Sequence, residues 1–276
     1  MHFSYLLVGG DARQQHLLSL LTSAGKSAEG IFIKTEENED EALKKIENAD
    51  IVILPIPSST DGKFLFAPNC ENKILLTSIT KRIKEKTVLF TGGENSAFAA
   101  AKAKIKVNLL DNEEMTLKNA MATSEAALAI LIENTEKTLF GSNILIIGYG
   151  RIANILAEYL KALKANVTVC ARKEIAKTKA YIAGHTVIGF DMLNESLPSY
   201  NVIINTAPAP VLCGSELKNV STEALLLDLA SKPGGIDFKA AKELGLKTIH
   251  ALSLPGKYSS KSAAEYIEEV INNTII

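Results

Sequence analysis

Residues 143–153 read Asn-Ile-Leu-Ile-Ile-Gly-Tyr-Gly-Arg-Ile-Ala, an apolar strand pattern that breaks at two glycines and continues as a helix pattern. Gly148 allows a tight turn, Gly150 leaves room for a phosphate group, and Ala153 permits close packing of the helix on the strand. Free backbone N–H groups at a helix N-terminus attract anions. The pattern therefore predicts a pyrophosphate site formed by five consecutive residues: Gly148, Tyr149, Gly150, Arg151 and Ile152.

The flanking sequence favours this interpretation over a purely structural turn. Glycines between a strand and a helix also occur for steric reasons alone, so the motif by itself is a weak indicator. Here a helix pattern over 151–164 is followed by a second strand pattern, Val167-Thr-Val-Cys170. Together they complete a βαβ unit of the length found in Rossmann domains.

The residues just past this second strand indicate which dinucleotide binds. Ala171, Arg172 and Lys173 stand where NAD-specific sites usually carry Asp or Glu for the ribose 2′-hydroxyl. Guanidinium and ammonium groups attract a 2′-phosphate, and the first carboxylate comes only at Glu174. We predict NADP(H) in preference to NAD(H), with these three residues among its contacts. The alternative is that Arg172 and Lys173 are solvated charges that open the next helix.

The composition argues against several classes of protein. The 276 residues carry a formal net charge of −1, so no basic field indicates nucleic-acid binding. No run reaches the ~18 consecutive apolar residues of a membrane span, and we expect a cytoplasmic protein. The three cysteines, Cys70, Cys170 and Cys213, lack metal-ligand spacing. We therefore predict no metal site and expect reduced, mostly buried thiols.

Strand and helix patterns alternate along the chain, which predicts an α/β fold with parallel sheets covered by helices. We expect an N-terminal flavodoxin-like domain over residues 1–112, a linker helix over 113–138 and a C-terminal Rossmann NADP-binding domain over 139–256. Residues 257–276 are predicted to form a C-terminal helix that can pack back across the domains. The predicted strands are 5–8, 31–34, 51–54, 87–90 and 106–108 in the first domain and 143–148, 166–170, 201–204, 225–228 and 247–250 in the second.

Ligands of open α/β sheets bind at the carboxyl ends of the strands, so the residues there are the first candidates for ligand contacts. Thr206, Ala207 and Pro208 follow the strand at 201–204. We predict that this rigid loop contacts the nicotinamide side of the dinucleotide. Its prolines can equally serve only to end the strand.

A second group of candidates follows the next strands. Asp228 ends the strand at 225–228 and is a predicted cofactor contact. Ser231 and Lys232 come after it in a loop with two glycines. Lys257 lies beyond the last strand, where Leu254-Pro-Gly-Lys257 predicts a constrained turn. Two lysines at one crevice would suit a dianionic substrate, so these three are predicted substrate contacts. A loop without a ligand is the alternative.

The first domain and the linker helix supply the remaining candidates. Gly10, Asp11 and Arg13 follow the first strand; Asp11 is a plausible N-cap, and Arg13 can bind a substrate carboxylate through a bidentate pair. We predict that all three contact the substrate. Ser124 and Glu125 interrupt the apolar face of the linker helix, and Ser124 is a further predicted substrate contact. Glu125 is a candidate acid or base if it faces the interdomain cleft, and a solvated surface residue if it does not.

Six motifs of this chain together are typical of one family. They are Gly9-Gly-Asp-Ala-Arg-Gln14, Phe140-Gly-Ser-Asn-Ile-Leu-Ile-Ile-Gly-Tyr-Gly-Arg151, Ala171-Arg172, Ile204-Asn-Thr-Ala-Pro208, Asp228-Leu-Ala-Ser-Lys-Pro-Gly-Gly-Ile-Asp237 and Leu254-Pro-Gly-Lys257. Over residues 3–15 and 119–272 the chain resembles the A subunits of dipicolinate synthase, the enzyme of spore-forming bacteria that oxidises dihydrodipicolinate to dipicolinate. The chain departs from the family pattern at 122–126 and at 258–264.

The resemblance implies an oxidoreductase that acts on a small dicarboxylate with NADP as hydride acceptor, in spore formation. A base must take a ring proton, and Glu125 is the first candidate, with water or Lys232 behind it. The family is expected to work with a flavoprotein-like B subunit, and we also expect a homo-oligomer. Two alternatives stay open: an NADPH-dependent reductase related to D-2-hydroxyacid dehydrogenases, and a non-catalytic NADPH-binding protein.

Overall fold

The computed structural model of the chain describes residues 3–33 and 38–275. It contains two compact units, one of Met1–Asn119 with Pro255–Ile276 and one of Ala120–Leu254. Each unit is built on one parallel β-sheet, which confirms the predicted α/β class. No helix within the described ranges is long and apolar enough to cross a membrane.

Strands and helices alternate along most of the described chain. The strands are β1 (Ser4–Val8), β2 (Ser27–Ile31), β3 (Ile51–Ile53), β4 (Val88–Thr91), β5 (Ile105–Asn108), β6 (Asn143–Ile147), β7 (Asn166–Cys170), β8 (Thr186–Ile188), β9 (Val202–Asn205), β10 (Leu225–Asp228) and β11 (Lys247–His250). The α-helices are α1 (Ala12–Ser23), α2 (Glu39–Asn48), α3 (Leu76–Thr80), α4 (Ser96–Ala100), α5 (Glu113–Asn134), α6 (Arg151–Ala162), α7 (Glu174–Ile182), α8 (Leu193–Ser196), α9 (Gly214–Lys218), α10 (Phe238–Glu243), α11 (Leu254–Tyr258) and α12 (Ser260–Thr274).

The strand orders are those of the two predicted doubly wound folds. The first sheet has the order β2-β1-β3-β4-β5, which is the flavodoxin-like order. The second sheet has the order β11-β10-β9-β6-β7-β8, which is the Rossmann order with its switch point between β6 and β9. A dinucleotide site is expected at that switch point, where the turn after β6 lies.

The central strands of each sheet are buried on both faces, as their continuous apolar sequences require. In β6, Ile144 and Ile146 pack with α6 residues on one face, whereas Leu145 and Ile147 pack in a second cluster on the other. In the first unit, α12 packs on α1, so that Ile267 and Ile271 join the cluster that contains Leu17. The C-terminal helix is therefore part of the first unit.

The register of the second sheet aligns the carboxyl ends of its strands. Ile147 pairs with Cys170 on one side and with Asn205 on the other, and Asp228 pairs with both Asn205 and His250. The segments that leave β6, β7, β9 and β10 therefore start side by side. This alignment brings most of the predicted cofactor residues to one edge of the sheet.

Three local predictions were displaced or missing. The predicted strand at 31–34 lies instead at Ser27–Ile31, and residue 34 is outside the described ranges. Only Ile31 of this edge strand is buried, and the sequence Ser-Ala-Glu-Gly-Ile has no apolar run that could mark a strand. The edge strand β8 was not predicted for the same reason, since its three residues are exposed or half-buried. The Leu-Pro-Gly-Lys segment, interpreted as a turn, is part of the short helix α11.

Candidate dinucleotide and substrate sites

The turn after β6 has the geometry that the glycine pattern predicted. Gly148 has φ +93°, and a Cβ there would lie 2.5 Å from the Thr206 Oγ1 atom. Gly150 is the N-cap of α6 with φ −88°, and a Cβ there would have no neighbour within 4 Å. Gly148 is therefore required by the fold, whereas Gly150 opens a space in front of the helix N-terminus. A pyrophosphate would require such a space, with N–H donors and no side chain in its way.

The side chain of Tyr149 points into the protein rather than toward this space. Its ring lies edge-on to His185, with the centroids 6.1 Å apart, and burial raises the pKa of its phenol. The buried His185 has its Nε2 atom 2.9 Å from the Glu158 carboxylate on α6. The Tyr149 side chain thus anchors the turn to the protein interior. Arg151 is exposed and Ile152 is half-buried.

The segment after β7 carries the predicted cations at the surface. Ala171 is buried, while Arg172 and Lys173 are exposed. The guanidinium carbon of Arg172 lies 5.4 Å from the centroid of the Phe190 ring. The first carboxylate, Glu174, is ion-paired with Lys177 at 2.9 Å. The end of β7 therefore presents positive charge where an NAD-specific site would present a carboxylate.

A buried pair of polar residues joins the ends of β9 and β10. Asn205 and Asp228 are both fully buried, and the Asn205 Nδ2 atom donates to the Asp228 Oδ1 atom at 2.8 Å. Asp228 also accepts from the backbone N–H groups of Ala230, Gly235 and Ile236 at 3.0, 2.8 and 3.3 Å. Its two oxygens are occupied by protein donors, so we interpret Asp228 as the residue that shapes the 229–236 loop.

The loops after β9 and β10 expose several of the predicted contacts. Thr206 and Ala207 are half-buried and Pro208 is exposed, and the Thr206 hydroxyl donates to the Ile147 carbonyl at 2.8 Å. Ser231 and Lys232 are exposed. The loop after β10 therefore exposes the Lys232 cation and the Ser231 hydroxyl, while hydrogen bonds to the buried Asp228 hold its backbone.

The two predicted residues of α5 have different surroundings. Ser124 is fully buried, and its hydroxyl donates to the Ala120 carbonyl at 2.8 Å and lies within 3.2 Å of the Ile152 carbonyl. It thereby connects α5 to the start of α6. Glu125 is exposed on the surface of the second unit, which leaves its role as acid or base a prediction.

In the first unit, predicted substrate residues meet at the carboxyl end of β1. Gly10 has φ +98°, and Asp11 caps α1 by accepting from the Arg13 backbone N–H at 3.1 Å. The buried Arg13 side chain binds the same carboxylate twice, through Nε at 2.9 Å and Nη2 at 2.7 Å. One edge of the guanidinium is thus already occupied by Asp11. The exposed Lys257 stands next to Gly256, whose backbone packs on this ion pair.

Sequence reasoning did not select three residues that the structure places at these sites. Asn205 closes a buried strand with a polar side chain, a signal that was available in the sequence. Phe190 and Gly256 owe their positions to packing against residues distant in the chain. Among the described residues no group of three or more His, Cys, Asp or Glu side chains could hold a metal ion.

Family models and a curated relative match nearly the whole chain. Residues 4–112 match the family model for the N-terminal domain of the dipicolinate synthase A subunit, and residues 116–225 match that of the D-isomer specific 2-hydroxyacid dehydrogenase, NAD binding domain. The dipicolinate synthase A subunit of Bacillus subtilis is 30% identical over 98% of this chain and 94% of its own length. This chain belongs to that family. It is an oxidoreductase with a nicotinamide-dinucleotide-binding domain.

Solved structures of the family have the same fold. The dipicolinate synthase A chain of Bacillus subtilis matches with a TM-score of 0.84 and 27% identity, covering 100% of this chain and 96% of that one. The dipicolinate synthase A subunit of Bacillus halodurans matches with a TM-score of 0.85 and 24% identity, covering 99% and 98%. The family and the α/β fold predicted from the sequence are confirmed.

Proposed function

We propose that this protein oxidises dihydrodipicolinate to dipicolinate with NADP⁺, as the A subunit of a dipicolinate synthase. The choice of NADP⁺ is supported most directly by the exposed Arg172 at the end of β7, beside the glycine turn after β6. It lies in a chain that is related to one subunit of dipicolinate synthase over nearly its whole length.

The preference for NADP(H) over NAD(H) rests on charge. Arg172 and Lys173 are exposed, and Glu174 is engaged by Lys177. A 2′-phosphate would meet two cations there, whereas a ribose hydroxyl would find no carboxylate acceptor at the usual position. The N–H groups of the turn from Gly148 to Ile152 would bind the pyrophosphate at the start of α6.

The chemistry needs a proton acceptor as well as the dinucleotide. When bound, NADP⁺ would accept a hydride from the substrate ring. Conversion of the dihydropyridine ring to the aromatic product also releases a proton, so two electrons and two hydrogens leave the ring in all. Glu125 is exposed and is our first candidate for that proton, with Lys232 or water as alternatives.

The substrate carries two carboxylates, which cations at the strand ends would attract. In the second unit, the exposed Lys232 stands in the loop that Asp228 fixes, and we propose it as a carboxylate contact. In the first unit, the exposed Lys257 follows Gly256, whose backbone packs on the Asp11–Arg13 pair. Because Asp11 already occupies one edge of the Arg13 guanidinium, Lys257 is the stronger candidate there, and Arg13 stays a predicted contact. Gly10, Ser124 and Ser231 stay predicted contacts.

A second protein chain belongs to the proposal, since the names of the relatives describe one lettered component of a larger enzyme. The flavoprotein-like nature of that partner, the homo-oligomeric state, the cytoplasmic location and the role in spore formation stay predictions from the sequence.

A spectrophotometric assay of NADPH formation from dihydrodipicolinate and NADP⁺ tests the reaction. The wild-type protein should turn over, alone or with its partner chain, and Glu125→Gln should lower kcat by about 100-fold or more with KM little changed. Glu133→Gln, an exposed glutamate on the same helix, is the matched control and should leave kcat unchanged. Reduction of 2-keto acids instead would identify a D-2-hydroxyacid dehydrogenase. Nucleotide binding without any turnover would identify a non-catalytic binding protein.

A further inference from the structure

The side chain of Arg172 has an aromatic partner that follows from the sheet register. Strands β7 and β8 are parallel neighbours, and Cys170 pairs with Ile188. Two residues further along each chain segment come Arg172 and Phe190, so the two side chains start from neighbouring positions. The guanidinium carbon lies 5.4 Å from the ring centroid, within the range of a cation–π contact.

An aromatic partner orients the guanidinium without neutralising it. A carboxylate would bind the same donors, cancel the positive charge and repel a 2′-phosphate. Among the described residues no ion pair of Arg172 with a carboxylate is seen, and the carboxylate nearest to it in sequence, Glu174, binds Lys177. A ring face attracts the cation through its quadrupole and leaves the N–H donors along the guanidinium edge unoccupied. Arg172 is thus restrained and remains able to bind an anion.

The loop around Phe190 is itself fixed. Gly189 precedes Phe190 in this loop. The Cys170 thiol contacts the Gly189 carbonyl at 3.7 Å, and the half-buried Phe190 ring packs against the cluster that contains Leu193. The ring therefore has a defined position before any ligand arrives, which is the condition for orienting Arg172 in advance.

We propose that Phe190 is a positioning residue for cofactor specificity, which restrains one face of the Arg172 guanidinium so that its free edge meets the 2′-phosphate of NADP(H). This inference rests on the proposed NADP preference. The effect is one of preorganisation, because an arginine that is already restrained loses less side-chain entropy when it binds the 2′-phosphate. NADH, which has no 2′-phosphate, gains nothing from the contact.

The test is the ratio of the Kd values for NADH and NADPH, measured by nucleotide fluorescence. Phe190→Leu should lower this ratio by about two- to fivefold through weaker NADPH binding, with the Kd for NADH unchanged, because a cation–π contact at an exposed site has about that strength. Phe190→Tyr keeps the aromatic face and should retain the wild-type ratio. In an Arg172→Ala background, Phe190→Leu should have no further effect.

The same titrations distinguish a failure of the proposed Phe190 role from a failure of the proposed NADP preference. If Arg172→Ala lowers the ratio but Phe190→Leu and Phe190→Met both leave it at the wild-type value, the role of Phe190 is refuted and the NADP preference stands. If the wild-type protein binds NADH as tightly as NADPH, both are refuted. Unchanged NADH binding shows in the same titration that each variant is folded.

Discussion

Replacing Gly148 by alanine perturbs the turn on which the dinucleotide site depends. Holding a non-glycine residue at φ +93° costs about 1–3 kcal/mol of backbone strain. The new Cβ would also lie 2.5 Å from the Thr206 Oγ1 atom. Moving that hydroxyl breaks its hydrogen bond to the Ile147 carbonyl, which contributes about 1 kcal/mol. We therefore expect Gly148→Ala to lower the free energy of unfolding by about 2–4 kcal/mol.

Gly150→Ala is the matched control, two residues away in the same turn. Its φ of −88° suits any residue, and a Cβ would meet nothing within 4 Å. We expect its stability to stay within about 0.5 kcal/mol of the wild type, because the small loss at the helix N-cap is offset by a less flexible unfolded chain. The new methyl group would nevertheless occupy the predicted phosphate position, so nucleotide binding should be lost.

Urea unfolding followed by circular dichroism, together with thermal unfolding, measures both effects. Gly148→Ala should unfold on the order of 10 °C below the wild type, and Gly150→Ala at nearly the wild-type temperature. Equal stability of the two variants would refute the argument about the turn. A stable Gly150→Ala variant that still binds NADPH with wild-type affinity would refute the assignment of the pyrophosphate to this turn.

Three further predictions concern other parts of the chain. Gly256→Ala should destabilise the first unit by about 1–3 kcal/mol in urea unfolding, because its Cβ would press on the Asp11–Arg13 pair, and an unchanged unfolding midpoint would contradict this. The hydrogen bond from the Ser4 backbone N–H lowers the pKa of Asp50 most, and the hydrogen bond from Lys86 lowers it further. The ionised Asp50 therefore stabilises the folded protein above about pH 4, and this stabilisation is lost as the pH falls through the lowered pKa of the folded state. Asp50→Asn should therefore be less stable than the wild type at pH 7 and equally stable near pH 2 in thermal unfolding, whereas a constant difference across this range would count against that linkage. Burial raises the pKa of the Cys170 thiol to about 11, so a thiol reagent at pH 8 should leave Cys170 unmodified in the native protein, and rapid labelling there, located by peptide mass, would disprove its burial.

The fold was predictable because its signals are local. Three signals each occupy only a few consecutive residues and have a direct physical meaning: the apolar strand β6, the glycines after it and the cations after β7. Buried central strands were located to within a residue or two. The edge strands β5 and β11 were also located to within a residue, whereas β2 was placed too far along the chain and β8 was not predicted, because neither has a run of apolar residues to mark it.

The site was predictable only in part, since some of its contacts depend on the register of the sheet. Phe190 reaches Arg172 because β7 and β8 are aligned, and Gly256 reaches the Asp11–Arg13 pair because the end of the chain returns to the first unit. Nothing in the sequence indicates that Asp228 is fully buried by backbone donors. The thiols were expected to be mostly buried, yet only Cys170 among the three is, while Cys70 and Cys213 are half-buried.

The most direct test of the proposed function is a fluorescence titration of the purified protein with NADPH and with NADH, in the absence and presence of dipicolinate. We expect tighter binding of NADPH, a further gain in affinity when dipicolinate is present, and loss of the NADPH preference in Arg172→Ala. Equal affinity for both nucleotides would contradict the cofactor assignment. NADPH binding that is indifferent to dipicolinate would contradict the dicarboxylate site.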